Sequence, residues 1–370
     1  MPGFGMARTL KPDECTPAPP HTRVWRNGAL LEKSNKRDEL MLKYILKRLG
    51  YMLIVLTIMS VFFFVLYEFM PGDRVRSFMP DTAGWTAEMI EIEYQLISDM
   101  LGIGQNPFVR YSRWITNMLT GDMGFSVFYR RPVVDVIRTP IMWTVVLNLV
   151  VMAFTLGLTI PIGIITAVKR GSLFDNGALV LTVLGISLPI FLFAMLLIII
   201  FAVFLGWLPL MGMHSPLIVP GEVSFLTMFF DRVRHMILPV MAMTLSSLGV
   251  MTRYVRATMC DALTEDYVRT ARAKGLAEKV VIYSHAFRNV MIPLVTSITG
   301  MFMTLFSGSV VIESIFSWSG MGQVMLSSIM RQDYAITMSM QIFYALVAVV
   351  ALLVMDLVYG LVDPRIRVAR

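Results

Sequence analysis

The polar residues with the clearest arrangement for specific work lie in one segment, residues 261–275, between two strongly apolar stretches. Thr264 can cap a helix, acidic residues follow it where the helix macrodipole favours negative charge, and Arg272 falls where a cation is favoured. Gly275 then supplies the residue that most readily takes left-handed dihedral angles after a helix. The segment therefore predicts a helix of about ten residues that ends at a glycine.

A second helix is predicted to begin near Ala277 and to run through His285 into the next apolar stretch, which it enters near Pro293. A rigid helix–glycine–helix elbow can insert into a groove on a soluble partner and pass on that partner's motion. The alternative is an amphipathic hairpin that lies in lipid headgroups with its Arg and Lys side chains towards anionic lipid. The pattern of residues leaves both interpretations open.

Motifs for covalent chemistry are absent from the sequence. There is no Gly-x-x-x-x-Gly-Lys-Ser/Thr phosphate loop, no His-Glu-x-x-His and no Gly-x-Ser-x-Gly. The 4 histidines and 31 methionines are scattered, and Cys15 and Cys260 do not suggest a disulfide framework. We therefore predict a non-catalytic chain with no metal site, which excludes an intramembrane hydrolase.

The composition indicates a membrane protein. Of 370 residues, 56% are hydrophobic and 15% charged, and the mean hydropathy is +0.69. Soluble domains carry about a quarter charged residues. The net charge of +7 is attributed to loops on one side of a membrane, and neither it nor the long apolar blocks favours a nucleic-acid partner. Membrane lipid is thus the first predicted partner.

Six apolar stretches are predicted to span the bilayer, which gives an all-α membrane protein with six transmembrane helices. Continuous apolar runs exclude a barrel, whose strands alternate apolar with polar residues. Pro239 is expected in the N-terminal turn of the fourth span, whereas Pro161 and Pro189 are expected to be tolerated without functional kinks. The predicted spans are residues 51–70, 142–168, 177–207, 237–251, 290–311 and 335–361.

Basic residues assign the sides of the membrane. They concentrate before the first span, between the second and third, in residues 253–288, and in residues 365–370. Under the positive-inside rule these regions and both termini are cytoplasmic, and residues 71–141 form an external segment with some structure of its own. Residues 1–40, rich in Pro, Lys and Glu, are predicted to be a disordered extension before a core that starts at Met41.

The polar segment resembles a known family. Asp266-Tyr-Val-Arg-Thr-Ala-Arg-Ala-Lys-Gly-Leu276, followed by His285-Ala-Phe-Arg-Asn289, is similar to the cytoplasmic EAA loop of ABC-importer permeases, in the form found in the oligopeptide/dipeptide (peptide/nickel) permease family. Four further motifs resemble that family in the same order. They are Leu42-Lys-Tyr-Ile-Leu-Lys-Arg48, Gly121-Asp-Met-Gly-Phe-Ser126, Phe316-Ser-Trp-Ser-Gly-Met-Gly322 and Asp363-Pro-Arg-Ile-Arg367.

The chain also departs from the family pattern. Arg269-Thr270-Ala271 stands where the broad consensus has Glu-Ala-Ala, although the peptide branch commonly carries this basic version. Ser319 stands where a proline is usual, which is expected to loosen the turn in which it lies. Residues 1–40 match no part of the family.

The resemblance implies the architecture of a type I ABC-importer permease, with an external segment between helices 1 and 2, a five-helix core over 142–362 and a tail over 363–370. It implies a second homologous permease, two cytoplasmic ABC ATPase subunits and an external solute-binding protein as partners. ATP and Mg would be bound by the ATPases, with no cofactor in this chain. Alternating access would move peptides, or alternatively nickel, glutathione or oligosaccharide, along the path between the two permeases.

Two groups of residues receive roles from the resemblance. A cytoplasmic loop, residues 258–289, would dock the ATPase through Asp266, Tyr267, Arg269, Thr270, Ala271, Arg272, Ala273, Lys274, Gly275 and Leu276. An external gate would be formed by Trp318, Gly320, Met321 and Gly322, for which an interfacial tryptophan anchor is the alternative. A stand-alone secondary carrier or channel is the rival class, and would show inverted repeats and several charges at membrane depth.

Overall fold

The computed structural model describes residues 20–69, 73–79, 82–218 and 221–362. The chain divides into two units, Met1–Val55 and Leu56–Arg370, and helix α1 (Pro20–Glu68) contributes to both. The helical state of residues 20–40 corrects the prediction of a disordered extension there. This stretch contains many helix-favouring Leu, Lys, Glu and Arg residues and continues into the apolar part of α1. Residues 1–19 and the predicted tail, 363–370, lie outside the described residues.

The prediction of an all-α membrane protein is confirmed. Among the described residues, five helices are long and apolar enough to cross a bilayer, and a sixth span is obtained if one bent pair of helices counts as one. The five are the Ile45–Glu68 part of α1, α5 (Val133–Val168), α8 (Phe225–Thr264), α10 (Glu278–Thr304) and α13 (Tyr334–Val362). The bent pair is α6 (Leu173–Ser187) and α7 (Ile190–Phe204).

The third predicted span, 177–207, is not one continuous helix. Helices α6 and α7 meet at 105° across a break at Leu188 and Pro189. Leu188 is extended, with ψ of 129°, which is the conformation that the ring of a following proline favours at the preceding residue. Pro189 also has no N–H to continue the ladder of helix α6. The expectation that Pro189 is merely tolerated is therefore wrong, whereas Pro161 does lie inside the uninterrupted α5.

The fourth predicted span, 237–251, extends far beyond both predicted ends. Helix α8 has 40 residues, and Pro239 lies in its interior instead of its N-terminal turn. The prediction located only the most apolar stretch, but α8 packs lengthwise against α5 and α6, and this burial extends the helix into more polar sequence. Close approach needs glycine: a Cβ at Gly249 would lie 2.5 Å from the carbonyl oxygen of Thr182 on α6.

The fifth predicted span, 290–311, ends earlier than expected. Helix α10 ends at Thr304, and the next helix, α11 (Val310–Ile315), is separate. Gly308 has φ of +66°, which a right-handed helix cannot contain, and it sets the break. A further short helix, α12 (Met321–Met330), precedes α13. The region between the fifth and sixth spans therefore contains two short helices, α11 and α12, joined by a turn.

The segment predicted to be external contains three helices and a small hairpin, in agreement with the expectation of local structure. The helices are α2 (Arg74–Phe78), α3 (Ala87–Leu101) and α4 (Pro107–Leu119), and the strands are β1 (Phe125–Ser126) and β2 (Arg131–Pro132). The strands pair in antiparallel orientation. Arg110 on α4 forms two 2.8 Å hydrogen bonds with the carboxylate of Glu68, which fixes α4 to the end of α1.

Candidate functional site: a glycine-ended elbow and a buried carboxylate

The predicted docking segment forms an elbow, defined here as residues 265–278. Helix α8 ends at Thr264, Glu265 is extended with ψ of 151°, and helix α9 (Asp266–Ala273) follows. Thr264 is not the N-cap: its hydroxyl donates to the Asp261 carbonyl at 2.8 Å, inside the last turn of α8. The Thr264 hydroxyl is therefore bonded within α8, and Glu265 is the N-cap residue of α9, without a side-chain hydrogen bond.

The end of α9 is built as predicted around Gly275. This residue has φ of +76°, and its N–H donates to the carbonyl of Arg272 at 2.9 Å. The N–H of Leu276 reaches the carbonyl of Ala271 at 3.4 Å. These two bonds form the Schellman pattern, which satisfies the last carbonyls of the helix and turns the chain sharply. The prediction of a left-handed glycine after the helix is confirmed.

Only one face of α9 is attached to the rest of the protein. Val268 is fully buried and Ala271 is 4% exposed, and both belong to a core cluster shared with α5, α8 and α10. The remaining residues predicted to contact a partner are exposed: Asp266, Tyr267, Arg269, Thr270, Arg272, Ala273, Lys274, Gly275 and Leu276. The elbow is therefore anchored through its buried face, and its outer face presents a mixed polar and apolar surface.

Two ion pairs shape that surface. Arg272 reaches across the glycine turn to Glu278, with hydrogen bonds of 3.2 and 2.7 Å to the two carboxylate oxygens. The Glu278 carboxylate raises the pKa of Arg272 above the usual arginine value, so this positive charge is permanent. Arg269 lies 3.3 Å from Asp266 within α9, but both side chains are highly exposed. Such an exposed pair contributes little to stability, so its charges are available to a partner.

A third ion pair connects the base of the elbow to the bent helix pair, and sequence analysis missed it. Arg256 on α8 donates to both carboxylate oxygens of Asp175 at the start of α6, at 2.7 and 2.8 Å. Asp175 also accepts the N–H of Gly171 at 2.9 Å. The two residues are 81 positions apart, and an acid after the Ser172 N-cap is typical of any helix start. The sequence therefore carried no signal for the pairing.

The residues predicted to form an external gate lie in a buried turn. Trp318 and Met321 have no exposed surface, and Gly320 and Gly322 are buried as well. The indole of Trp318 donates to the carbonyl of Trp143 on α5 at 3.3 Å and stands edge-on to the Trp143 ring. The structure thus brings these four residues together, but against α5 and not at an open surface.

Glu313 on α11 lies at the centre of this turn, and sequence analysis did not single it out. Its carboxylate accepts hydrogen bonds from the Thr144 hydroxyl at 2.9 Å and from the Gln323 N–H at 3.0 Å. The N–H groups of Ser309 and Gly322 also donate to it. We call these five residues the Glu313 cluster. An acid between Val310-Val311-Ile312 and Ile315-Phe316 was the available signal, because a charge in an apolar run is costly and needs partners.

Glycines make room for this carboxylate. A Cβ at Gly320 would lie 2.5 Å from the carboxyl carbon of Glu313, and a Cβ at Gly322 would lie 2.9 Å from one of its oxygens. Gly308 approaches from the other side, where a Cβ would lie 2.9 Å from the second oxygen. The Gly-x-Gly of the predicted gate is therefore explained by the buried acid. In the described part of the chain, no group of three or more His, Cys, Asp or Glu could hold a metal ion.

Comparisons with known proteins agree with the motif order. Residues 159–368 match the family described as binding-protein-dependent transport system inner membrane component, and residues 41–129 match its N-terminal membrane component. The oligopeptide transport system permease protein AppB of Bacillus subtilis (strain 168) is 33% identical over 327 residues, 88% of this chain and 99% of AppB.

Two relatives from Escherichia coli (strain K12) are similar to the same extent. The glutathione transport system permease protein GsiC is 36% identical over 327 residues, 88% of this chain and 99% of GsiC. The dipeptide transport system permease protein DppB is 35% identical over 341 residues, 88% of this chain and 99% of DppB. Identity is therefore nearly equal among relatives that are named for different cargoes.

Proposed function

The chain belongs to the family of binding-protein-dependent transport system inner membrane components, the permease subunits of ABC importers, and we propose that its elbow couples it to an ATPase. As a permease subunit it is a multi-pass membrane protein and not an enzyme, and it works within a transporter complex. The observation that carries the proposal is the construction of α9, buried through Val268 and Ala271 and exposed on its outer face.

Coupling requires that a push on α9 moves the spanning helices. Val268 is packed against α8 and α10, so a force on the outer face of the elbow is transmitted directly to two spans. The Arg256–Asp175 pair extends the connection to α6 and from there to the bend at Pro189. Closure of two ATPase subunits around ATP would draw two elbows together and rock the attached helices, which is the alternating-access mechanism.

The complete transporter in this proposal contains a second homologous permease, two ATPase subunits and an external solute-binding protein. The ATPases would bind ATP and Mg, because this sequence has no phosphate loop. The chain would lie in the cytoplasmic membrane with both termini and the elbow on the cytoplasmic side. The concentration of Lys and Arg in residues 253–288 supports this orientation.

Peptides are the proposed cargo, and glutathione is the second candidate. Two of the three relatives above are named for oligopeptide or dipeptide transport and one for glutathione transport, which is itself a short peptide. A nickel or oligosaccharide cargo belongs to the same transporter class.

We further propose that the buried turn at Trp318 gates the external end of the path as a unit. Because Trp318 and Met321 have no exposed surface, they can act only by moving together with α11, α12 and the Glu313 cluster. A loose loop that contacts the binding protein directly would need exposed side chains at these positions.

Photo-crosslinking tests the docking role. A photoreactive phenylalanine at position 267, on the exposed elbow, is compared with the same probe at position 154, an exposed position on α5. We expect position 267 to crosslink an ATPase chain in the purified complex and position 154 to crosslink lipid. If position 267 crosslinks only lipid with and without ATP, the elbow is an interfacial hairpin and the proposal is wrong.

A charge exchange tests the same role through transport. Asp266→Lys with Arg269→Glu keeps the pair within α9 but reverses its orientation on the surface. We expect membrane insertion to persist and ATP-driven uptake to fall, because the exposed pair contributes little to the fold. A stand-alone carrier or channel would instead transport without ATP in both forms of the protein.

A further inference from the structure

A cleft of about 470 Å³ opens between the hairpin that leads into α5 and the start of α12. Its polar wall includes Tyr129, Arg131, Ser319 and Gln323, and its floor includes the apolar side chains of Val136 and Val324. Small-molecule sites in proteins have volumes of about 300–1,000 Å³ and combine an apolar lining with a few polar groups. The cleft has both the size and the composition of such a site.

The cleft contains an unneutralised positive charge. Arg131 is exposed and forms no ion pair with any residue in the described part of the chain; its nearest aromatic neighbour is the Tyr129 ring, 5.8 Å away. The nearby acid, Asp333, is 1% exposed and is occupied by the Ser126 hydroxyl and the Phe128 N–H. The guanidinium of Arg131 is thus free to bind an anionic group that enters the cleft.

Neutral hydrogen-bonding groups lie beside this charge. The side-chain amide of Gln323 and the hydroxyl of Ser319 have no hydrogen-bond partner among the described residues, so both remain available to a ligand. Burial raises the pKa of Tyr129, and its hydroxyl, which also has Ser327 as a hydrogen-bond partner, stays protonated. An amide, two hydroxyl groups and one guanidinium match the groups of a peptide: carbonyl and N–H along the chain and a carboxylate at the end.

The cleft shares a wall with the Glu313 cluster. Gln323 presents its side chain towards the cleft while its backbone N–H donates to Glu313 at 3.0 Å. Ser319, at the rim, precedes Gly320, which packs directly on the Glu313 carboxylate. A ligand that moved α12 would therefore act on the turn that holds α11 and α5 together.

We propose that this cleft binds the free carboxylate end of a short peptide, with Arg131 as the carboxylate-binding residue and Val136 and Val324 contacting its side chains. The proposal rests on the peptide cargo proposed above. It adds a binding site within this chain, separate from the elbow, and a reason for the unpaired arginine.

Binding is measured on the intact membrane complex that co-purifies with the tagged full chain, in nanodiscs of phosphatidylcholine. The probes are radiolabelled tri-alanine and its C-terminal amide, used in equilibrium dialysis. The variants are Arg131→Gln and, as a matched control, Arg130→Gln, because Arg130 is an adjacent exposed arginine that does not line the cleft. Arg131→Lys tests whether charge alone is enough.

We expect Arg131→Gln to weaken tri-alanine binding about 5- to 10-fold, the scale of a partly solvated charge-assisted hydrogen bond. Binding of the amide should be weak and insensitive to the substitution, Arg130→Gln should bind like the wild type, and Arg131→Lys should be intermediate. Equal binding of acid and amide by the wild type, equal binding by Arg131→Gln and wild type, or no binding of tri-alanine would overturn the proposal.

Two further arms separate the alternatives. If phosphatidylglycerol in the nanodiscs abolishes tri-alanine binding in an Arg131-dependent way, the cleft binds a lipid phosphate and the peptide assignment is wrong. ATP-driven uptake of tri-alanine is measured in proteoliposomes of the same complex with its binding protein. Uptake that is unaffected by Arg131→Gln, together with unaffected binding, rejects the cleft but leaves the proposed function intact. Absence of peptide uptake by the wild type rejects the peptide cargo itself.

Discussion

Gly275 offers the sharpest test of the elbow, because substitutions there change backbone conformation and little else. Its φ is +76°, and no heavy atom lies within 4 Å of the position that a Cβ would take. A larger side chain therefore meets open space, and its whole cost comes from the left-handed dihedral angle. The series Gly275→Asn, Gly275→Ala and Gly275→Val increases that cost stepwise, since Asn tolerates the conformation and β-branched Val tolerates it least.

The magnitude follows from the structure. An alanine in the left-handed region costs about 1–2 kcal/mol relative to glycine. The ion pairs of the elbow are exposed and contribute little to holding it in place. The main contribution is the burial of Val268, which is worth about 1.5–3 kcal/mol. The two free energies are similar in size. Gly275→Ala should therefore lower the ratio of native to displaced elbow conformations about 5- to 30-fold. Gly275→Pro should be worse, because it also removes the N–H that bonds Arg272 at 2.9 Å.

The assay is the number of ATP molecules hydrolysed per cargo molecule taken up, in proteoliposomes of the assembled transporter. We expect this ratio to rise in the order wild type, Asn, Ala, Val, with the complex still inserted in the membrane. Gly84→Ala is the matched control: Gly84 has φ of +86° and no heavy atom within 4 Å of a Cβ position, but lies between α2 and α3 in the segment predicted to be external. Unchanged coupling in Gly275→Val, or equal loss in Gly84→Ala, would refute the reasoning.

Three further predictions concern the elbow and the Glu313 cluster. Charge reversal of Arg272 or Glu278 alone should reduce coupling, and the exchange of both charges should restore it. The measurement is again the number of ATP molecules hydrolysed per cargo molecule. Failure of the exchange to restore this ratio would show that the pair does not shape the elbow. Gly320→Ala should destabilise the protein by about 1–3 kcal/mol, because its Cβ would overlap the Glu313 carboxylate, whereas Gly300→Ala in open helical surroundings should be neutral or stabilising in thermal unfolding. Glu313→Gln should cost about 1–3 kcal/mol, because an amide NH₂ would face N–H donors; an unchanged melting temperature would contradict the assigned hydrogen bonds.

Local signals in the sequence were sufficient for the spanning helices and for the end of the elbow. An apolar run of about 20 residues has few alternatives to a membrane helix, since every backbone group must be hydrogen-bonded within it. Gly275 was found for a similar reason: the left-handed cap is decided by the residue itself and by the few residues before it. The family resemblance then gave the docking role, which remains a prediction.

Helix lengths and bends depended on packing and were predicted less well. Whether a proline ends a helix or lies within it depends on its neighbours: the chain bends by 105° at Pro189, whereas Pro161 and Pro239 lie inside continuous helices. Helix α8 extends past its apolar stretch because α5 and α6 cover it. Neither outcome is contained in the residues of one segment.

The sequence by itself thus determined the membrane class, the number of spans when the bent pair is counted as one, and the glycine-ended helix of the elbow, because each depends on residues that are adjacent in the chain. Only the tertiary structure decided that Trp318 is buried, that Arg256 pairs with Asp175, and that Glu313 is enclosed by glycines and by Thr144. These features join residues up to 175 positions apart. Their partners are selected by the packing of whole helices, which no local pattern records.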